Sequence, residues 1–492
     1  MSNGTLVELI ATGTQAHFLT DDPDHTMWRH KWKKASNYAS ETIVQGFSGN
    51  AGFGSRQAQC TLNRVGDLIY RQFLLFHIPG IKYDTTLSDG IPEADAYFPH
   101  CDPCDPTGDG GESIDADSVD SKLVDPVALI DDSIADLVGL EDVTKDCIGA
   151  SGPWAHYVQA IGFHLVRECK LMIGGQQVDC IDSDVLYMWE ELSGKSGKRL
   201  EEMIGKRETR AQLILDSYRD RYLYVPLPWW FCRNTGNSLP LIGLQFHTVQ
   251  LQLDIADLRS CIVTSVGKKP GQDEADESKF VPRVLNKNTR APIQNQDLTT
   301  RVESEYIFLD QTERDYFVKS AFEQLITVHQ INEETFAASK QVTRHIQFNH
   351  PVLELMWRIR RDQNSTCNNH FNYSGLHGHD PLENVTIKFN GMDRVVKREA
   401  SYFRTVQPYQ HHSSIPRSYT YCFSFAQHPE HSEPTGSANF SRIDTIEMQL
   451  EFQKELYSNS SSLGKQVNWK IVARNWNLFR YKGGLGGPVY AN

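Results

Sequence analysis

The sequence predicts an all-β chain in which one antiparallel sandwich or barrel domain occurs twice. Three observations carry this expectation. Apolar and polar residues alternate over short runs, turn residues punctuate those runs throughout, and four elements recur in the same order in the two halves.

The alternation is clearest in two places. Val249, Leu251, Leu253 and Ile255 are separated by polar residues, and so are Ile446, Met448, Leu450 and Phe452. A period of two puts one set of side chains on one face of a strand, so each run reads as half-buried. The turns between strands include Gly52-Phe-Gly54, Gly174-Gly175, Asn234-Thr-Gly236, Asn390-Gly391 and Pro434-Thr-Gly436. Asn-Gly and Gly-Gly accept the positive φ that tight hairpins require.

The repeat has four parts. A strand–turn–strand over Gln59–Leu68, turning at Asn63-Arg-Val-Gly66, is matched by Ile346–Leu355, turning at Asn349-His-Pro351. The hairpin Cys169–Gln176 is matched by Val385–Met392. The long strand Val249–Ile255 is matched by Ile446–Phe452, with glutamine at the same place in both. A closing strand, Val302–Leu309, is matched by Val472–Phe479. The spacing between copies shrinks along the chain, so the first copy is expected to carry the longer loops. These are an acidic loop at about 81–150 and a polar loop at 263–300.

Between the halves, Asp310 with Glu313 three residues on forms an N-terminal helix signal, followed by Tyr316 and Phe317. A short linker helix is expected over 311–321. A second helical region is expected over Val185–Tyr218, where Leu200, Met203, Ile204, Leu213 and Leu215 interleave with charges. The expected organisation is an N-terminal segment (1–25), a first β-domain (26–310), the linker helix, and a second β-domain (322–492) ending in a Gly-rich tail.

Composition narrows the function. A net charge of −13 disfavours direct nucleic-acid binding. Much of the acidity is local, because Asp84–Asp146 holds eighteen Asp or Glu against only Lys122 and Lys145. The ten cysteines are scattered, which suits reduced thiols made in a cytosol better than a disulfide framework. No run approaches a membrane-spanning length, and Met1–Gln15 lacks the basic start of a secretory signal.

Several motifs hint at chemistry and are weighed against it. His377-Gly-His379 with Glu383 has the spacing by which a cupin barrel offers two imidazoles and a carboxylate to iron or manganese. A two-barrel metal enzyme using His377, His379 and Glu383 is therefore the alternative function. Against it, the first copy has no matching His pair, and Asn439 stands where a further ligand is wanted. Cys101-Asp-Pro-Cys104 lacks a second ligand pair for zinc, and Asp105–Glu112 misses the calcium-loop pattern. His411, His412, His428 and His431 read as exposed turn residues. Lys195, Lys198, Arg199, Lys206, Arg207 and Arg210 interleave with Glu191, Glu201, Glu202 and Glu208, so they read as a solvated face rather than a nucleic-acid site. No phosphate-binding loop, HExxH or GxSxG is present. No catalytic, cofactor-binding or metal residue is assigned.

Short motifs spread over nearly the whole chain carry a resemblance. They include Leu9-Ile-Ala-Thr-Gly-Thr-Gln15, Ser48-Gly-Asn-Ala-Gly-Phe-Gly54, Ile173-Gly-Gly-Gln176, Leu223-Tyr-Val-Pro-Leu227 and Tyr306-Ile-Phe-Leu-Asp310. The second half adds Phe348-Asn-His-Pro351, Asn390-Gly-Met-Asp-Arg394, Val406-Gln-Pro-Tyr409, Asn439-Phe-Ser-Arg-Ile-Asp444 and Gly483-Gly-Leu-Gly-Gly487. In this order they resemble the major capsid proteins of nucleocytoplasmic large DNA viruses. The resemblance implies two consecutive eight-stranded antiparallel jelly-roll barrels with long loops and a few short helices. It implies a homotrimeric capsomer of pseudo-hexagonal outline in an icosahedral virion, assembled in the host cytoplasm. Its partners would be neighbouring capsomers and minor capsid, penton and cap proteins, with an internal membrane beneath the shell and no direct nucleic acid. The acidic segment departs from a minimal member and is expected to cap the first barrel.

Overall fold

The computed structural model describes residues 35–49, 51–84, 154–195, 197–198, 200–264, 267–268, 279–280, 283–458 and 466–490. The N-terminal segment 1–25, the Cys101/Cys104 pair, the Asp105–Glu112 carboxylates and most of the acidic stretch lie outside the described residues. Ser40–Asn492 form one compact unit.

Sixteen strands make its framework. The first eight are β1 (Ala39–Gly46), β2 (Ala58–Thr61), β3 (Leu68–Ile78), β4 (Val166–Ile173), β5 (Gln176–Ile181), β6 (Arg221–Pro226), β7 (Val249–Ile255) and β8 (Thr299–Phe308). They form two sheets of order β1-β8-β3-β6 and β2-β7-β4-β5. The second eight are β9 (Phe322–Ala337), β10 (Gln341–His345), β11 (Pro351–Arg361), β12 (Leu382–Phe389), β13 (Met392–Glu399), β14 (Thr420–Ser424), β15 (Ile446–Phe452) and β16 (Gln466–Lys482). Their sheets are β9-β16-β11-β14 and β10-β15-β12-β13. Each strand of the second set therefore occupies the place of the strand eight earlier. Both sets have the one-eight-three-six and two-seven-four-five order of a jelly roll. The two sheets of each set are separate, so each jelly roll is an open sandwich.

The strongest sequence pattern gives the most regular strands. Along both β7 and β15 the apolar set is buried and the polar set half-buried, residue by residue. Leu251, Leu253, Met448 and Leu450 are fully buried. Each such side chain contributes roughly 1.5–3 kcal/mol by leaving water. The hairpins close as their dipeptides require: Gly174 and Gly175 have φ of 60° and 81°, and Asn390 and Gly391 have 49° and 77°. Both central residues are left-handed, the turn that matches the twist of an antiparallel pair.

Two local expectations are corrected, and the expected second helical region is resolved into its parts. Strand β10 ends at His345, so Ile346–His350 is a connection rather than a strand, although Ile346 N–H still donates to Ile446 O at 2.8 Å. The expected loops are partly ladder. Ile81–Asp84 pairs antiparallel with Arg283–Asn286, and Ile262–Thr264 pairs with Ala155–Tyr157. Strands so short and so far apart in sequence gain their stability from each other, which no local pattern reveals. The Val185–Tyr218 region is three helices, α1 (Ser183–Ser193) followed by Glu201–Ile204 and Arg210–Ser217. Asp182 caps α1 by accepting from Val185 N–H at 2.9 Å. Between the two sets of strands lies α2 (Gln311–Lys319), where the Asp310 carboxylate accepts from Gln311 N–H.

Candidate functional site

The most heavily built polar feature is a seam where the first sandwich lies on the outer face of the second. In β11, Leu355, Trp357 and Ile359 enter the core of the second sandwich. Alternation sends Glu354, Met356 and Arg358 to the other face. In β16, Trp469, Ile471 and Ala473 face in, and Lys470, Val472 and Arg474 face out. That outer face does not meet water: Met356, Val472 and Cys422 pack into the core of the first sandwich.

Helix α1 supplies the countercharges. The Asp184 carboxylate receives Arg358 Nη2 at 2.6 Å, Lys470 Nζ at 2.7 Å and the Tyr373 hydroxyl at 2.8 Å. Lys470 also reaches Asp182 at 2.8 Å and Glu333 of β9 at 2.9 Å. Burial would push the Asp184 carboxyl up, but Arg358, Lys470 and Arg360 hold it well below the usual carboxylate range. Burial pulls Arg358 and Lys470 down, but Asp184 first, with Glu333, raises both.

A second cluster lies further along β16. Arg474 bonds Glu354, and both side chains are fully buried. His412 Nε2 lies 2.8 Å from Glu354, an ionic contact off the hydrogen-bond line, and His412 Nδ1 lies 3.2 Å from Glu430. Burial raises the Glu354 carboxyl, but Arg474 and then His412 bring it down to about 2. Burial lowers the His412 imidazole, but Glu354, Cys422 and Glu430 together carry it up to about 12. Trp189 of α1 completes the cluster, with the Arg474 and Arg233 guanidinium groups over its ring at 4.1 and 4.4 Å. A third contact joins the neighbouring strands directly. Asp179 of β5 accepts from His329 N–H of β9 at 2.9 Å and lies 3.0 Å from His329 Nδ1.

Buried charges of this kind are costly to bring together and more costly to separate. Removing one partner leaves an uncompensated charge, worth about 3–5 kcal/mol. The seam therefore fixes the two sandwiches as one rigid body. Arg358, Lys470, Arg474 and His412 each lie against a carboxylate, whereas Arg233 donates to the Pro228 carbonyl at 3.3 Å.

The candidate residues fall elsewhere. Leu376–Gly378 is a single 3₁₀ turn, and the His377 side chain lies outside the described set. His379 and Glu383 are exposed. Leu382, the first residue of β12, is buried, so alternation points Glu383 away from the interior where a cupin metal would sit. Among the described residues no three His, Cys, Asp or Glu side chains converge as a metal site. His428 and His431 are exposed as expected. His412 is not: its side chain is fully buried in the seam. The basic run is only partly solvated. Lys195 and Lys198 are exposed, but Lys206 bonds Glu191 at 2.5 Å, Arg207 bonds Asp216, and Arg210 lies over Trp154.

A signal for the seam exists in the sequence. Pro351–Arg361 and Gln466–Lys482 are apolar on both faces, with isolated charges embedded. Such strands are covered on both sides, and their charges need partners.

Comparison with known proteins agrees with this architecture. Residues 313–487 match the family model described as large eukaryotic DNA virus major capsid protein. Residues 26–97 and 137–310 match the model for the major capsid protein N-terminus. The major capsid protein of Phaeocystis pouchetii virus is 26% identical, with the match covering 99% of this chain and 100% of that protein. That of Paramecium bursaria Chlorella virus 1 is 24% identical, covering 99% and 100%. Among solved structures, the fold is similar to PBCV-1 VP54, with a TM-score of 0.64, 23% identity and coverage of 95% and 100%. The Faustovirus major capsid protein has a TM-score of 0.60 at 11% identity, covering 96% of each chain. With the two models spanning most of its length and two jelly rolls of the same order within it, the chain belongs to the major capsid protein family of large eukaryotic DNA viruses and is a component of the virion shell.

Proposed function

We propose that three copies of the chain associate around a threefold axis into a capsomer of pseudo-hexagonal outline. The observation that carries this is the repeated jelly roll locked by a buried seam. Two rigidly joined copies of one domain, taken three times, place six similar sandwiches in a ring. A near-hexagonal tile covers a flat facet without gaps, and a closed ring needs a specific head-to-tail contact. On this reading the chain divides at α2 into a first jelly roll over 26–310 and a second over 322–492.

The capsomer would meet neighbouring capsomers at its rim. It would also meet minor capsid and penton proteins, with a membrane beneath the shell. The acidic segment near 81–150 would face outward, toward cap proteins. The reading gives the chain no catalytic, cofactor or metal residue. Light scattering tests it directly: the purified chain at micromolar concentration should have about three times the 55.9 kDa monomer mass. A stable monomer under those conditions would refute it.

A further inference from the structure

One cation of the seam has no counterion. Arg233 closes the 3₁₀ turn Trp230–Cys232, shortly after β6, and its guanidinium lies over the Trp189 ring at 4.4 Å. Among the described residues it enters no ion pair, and its one hydrogen bond runs to the Pro228 carbonyl at 3.3 Å. Its Nε is shut from water and has no acceptor. The carboxylates whose charge it feels, Glu354 and Asp179, are already engaged, the first by Arg474 and His412 and the second by His329. Burial, and then the Arg474 charge, push the Arg233 guanidinium well below its ordinary value. A buried cation in this state is costly until an anion reaches it.

That guanidinium lines a cavity. About 190 Å³ of space lies between α1 and the end of β6, walled by Phe163, Leu186, Leu200 and Leu227. Trp189 and Glu190 of α1 also line it, together with Arg233. Glu190 is not the missing anion. The charges that act on its carboxyl are those of Lys206, Glu191 and Glu201, and burial raises it to about 7.

The chemistry of the cavity selects the anion. Apolar walls with one convergent polar group are the makeup of a small-molecule site, in which the body fills the space and the polar contact orients it. A guanidinium presents two parallel N–H donors, which match a planar carboxylate. A phosphate or sulfate carries more acceptors than one guanidinium satisfies, and these walls would leave the rest unpaired. An apolar cavity of about 150 Å³ holds a benzene-sized molecule. The volume here therefore suits a six-membered ring, or a short chain of similar bulk, with one carboxylate attached.

We propose that this cavity binds a small monocarboxylic acid, its carboxylate on the Arg233 guanidinium and its apolar body among Phe163, Leu186, Leu200 and Leu227. The ligand neutralises the one seam cation that the chain leaves without a carboxylate. It also ties two elements together. Helix α1 brings Leu186 and Trp189 to the cavity, and the chain after β6 brings Leu227 and Arg233. The same helix carries Asp184 and Trp189 into the seam. A ligand that binds the folded chain and not the unfolded one then stabilises the joint between the sandwiches by mass action. The site belongs to a single chain, so the inference does not depend on how many copies associate.

Benzoate is the probe, with benzamide as its neutral counterpart and acetate as a carboxylate without the body. Isothermal titration calorimetry on the purified full-length chain should show benzoate binding about tenfold or more tightly than either. Arg233→Met should weaken benzoate about tenfold or more. Its thermal midpoint without ligand should stay the same or rise, because an unpaired buried cation has been removed. Glu190→Gln should bind benzoate several-fold more tightly, since a negative charge beside the ligand is gone. A lowered midpoint in Arg233→Met, or its failure to fold, would show that the charge is already compensated and overturn the site. Equal affinity for benzoate and benzamide, benzoate binding undiminished in Arg233→Met, weaker binding in Glu190→Gln, or no binding to the wild type would overturn it as well.

Discussion

Replacing His412 by glutamine isolates one buried proton. The imidazole is fully buried against Glu354 and Glu430, and its pKa is raised to about 12. In the unfolded chain a histidine titrates near 6.5. A group raised on folding contributes its full stability below the unfolded value and loses it as pH climbs toward the folded one. Between the two values the folded chain keeps a proton that the unfolded chain releases. Unfolding free energy then falls by about 1.4 kcal/mol per pH unit, or roughly 2 kcal/mol from about pH 7 to about pH 8.5. Other groups shift both proteins alike, so the difference between them reports His412; Glu190, raised by burial to about 7, adds a fall of the same sign near pH 7 in each. His156 and His370 are lowered by burial to about 4, so their contribution is complete above about pH 6.5. Buried thiols such as Cys60, raised by burial to about 11, contribute the same sign as His412 over the upper part of the window, where unfolded thiols begin to ionise, and do so equally in both proteins. Urea unfolding followed by tryptophan fluorescence, at one protein concentration, gives the slope for both proteins. The wild type should lose stability across the window, and H412Q should be flatter by about one proton. Equal slopes would refute a protonated His412 in the folded chain.

Two further predictions concern the framework. Arg358→Met leaves Asp184 buried with one cation fewer, and should lower the urea-unfolding free energy by about 3–5 kcal/mol; a loss under about 1 kcal/mol would mean that Lys470 and Arg360 suffice. Gly80→Ala would set a methyl 2.7 Å from the Tyr218 carbonyl oxygen, a backbone atom that cannot swing aside. It should cost about 1–3 kcal/mol in the same assay, and an unchanged midpoint would show that the backbone there yields.

The two jelly rolls were legible because strand alternation and turn chemistry are local. Burial along Val249–Ile255 and Ile446–Phe452 follows the printed alternation residue for residue, and Asn390-Gly391 could scarcely be anything but a tight turn. The pairing of Ile81–Asp84 with Arg283–Asn286 was not legible, since its partners are four residues each and distant in the chain.

His412 shows the limit most clearly. Beside His411 in a polar stretch it looks solvent-facing, and only the approach of Glu354 and Glu430 makes it a buried cation. The sequence by itself determined that one domain occurs twice, because period and order are written along the chain. The tertiary structure alone decided how the copies join. A charge such as Arg358, Lys470 or Arg474 is a liability on any strand until a second surface arrives with its counterion, and which surface arrives is a property of three-dimensional proximity.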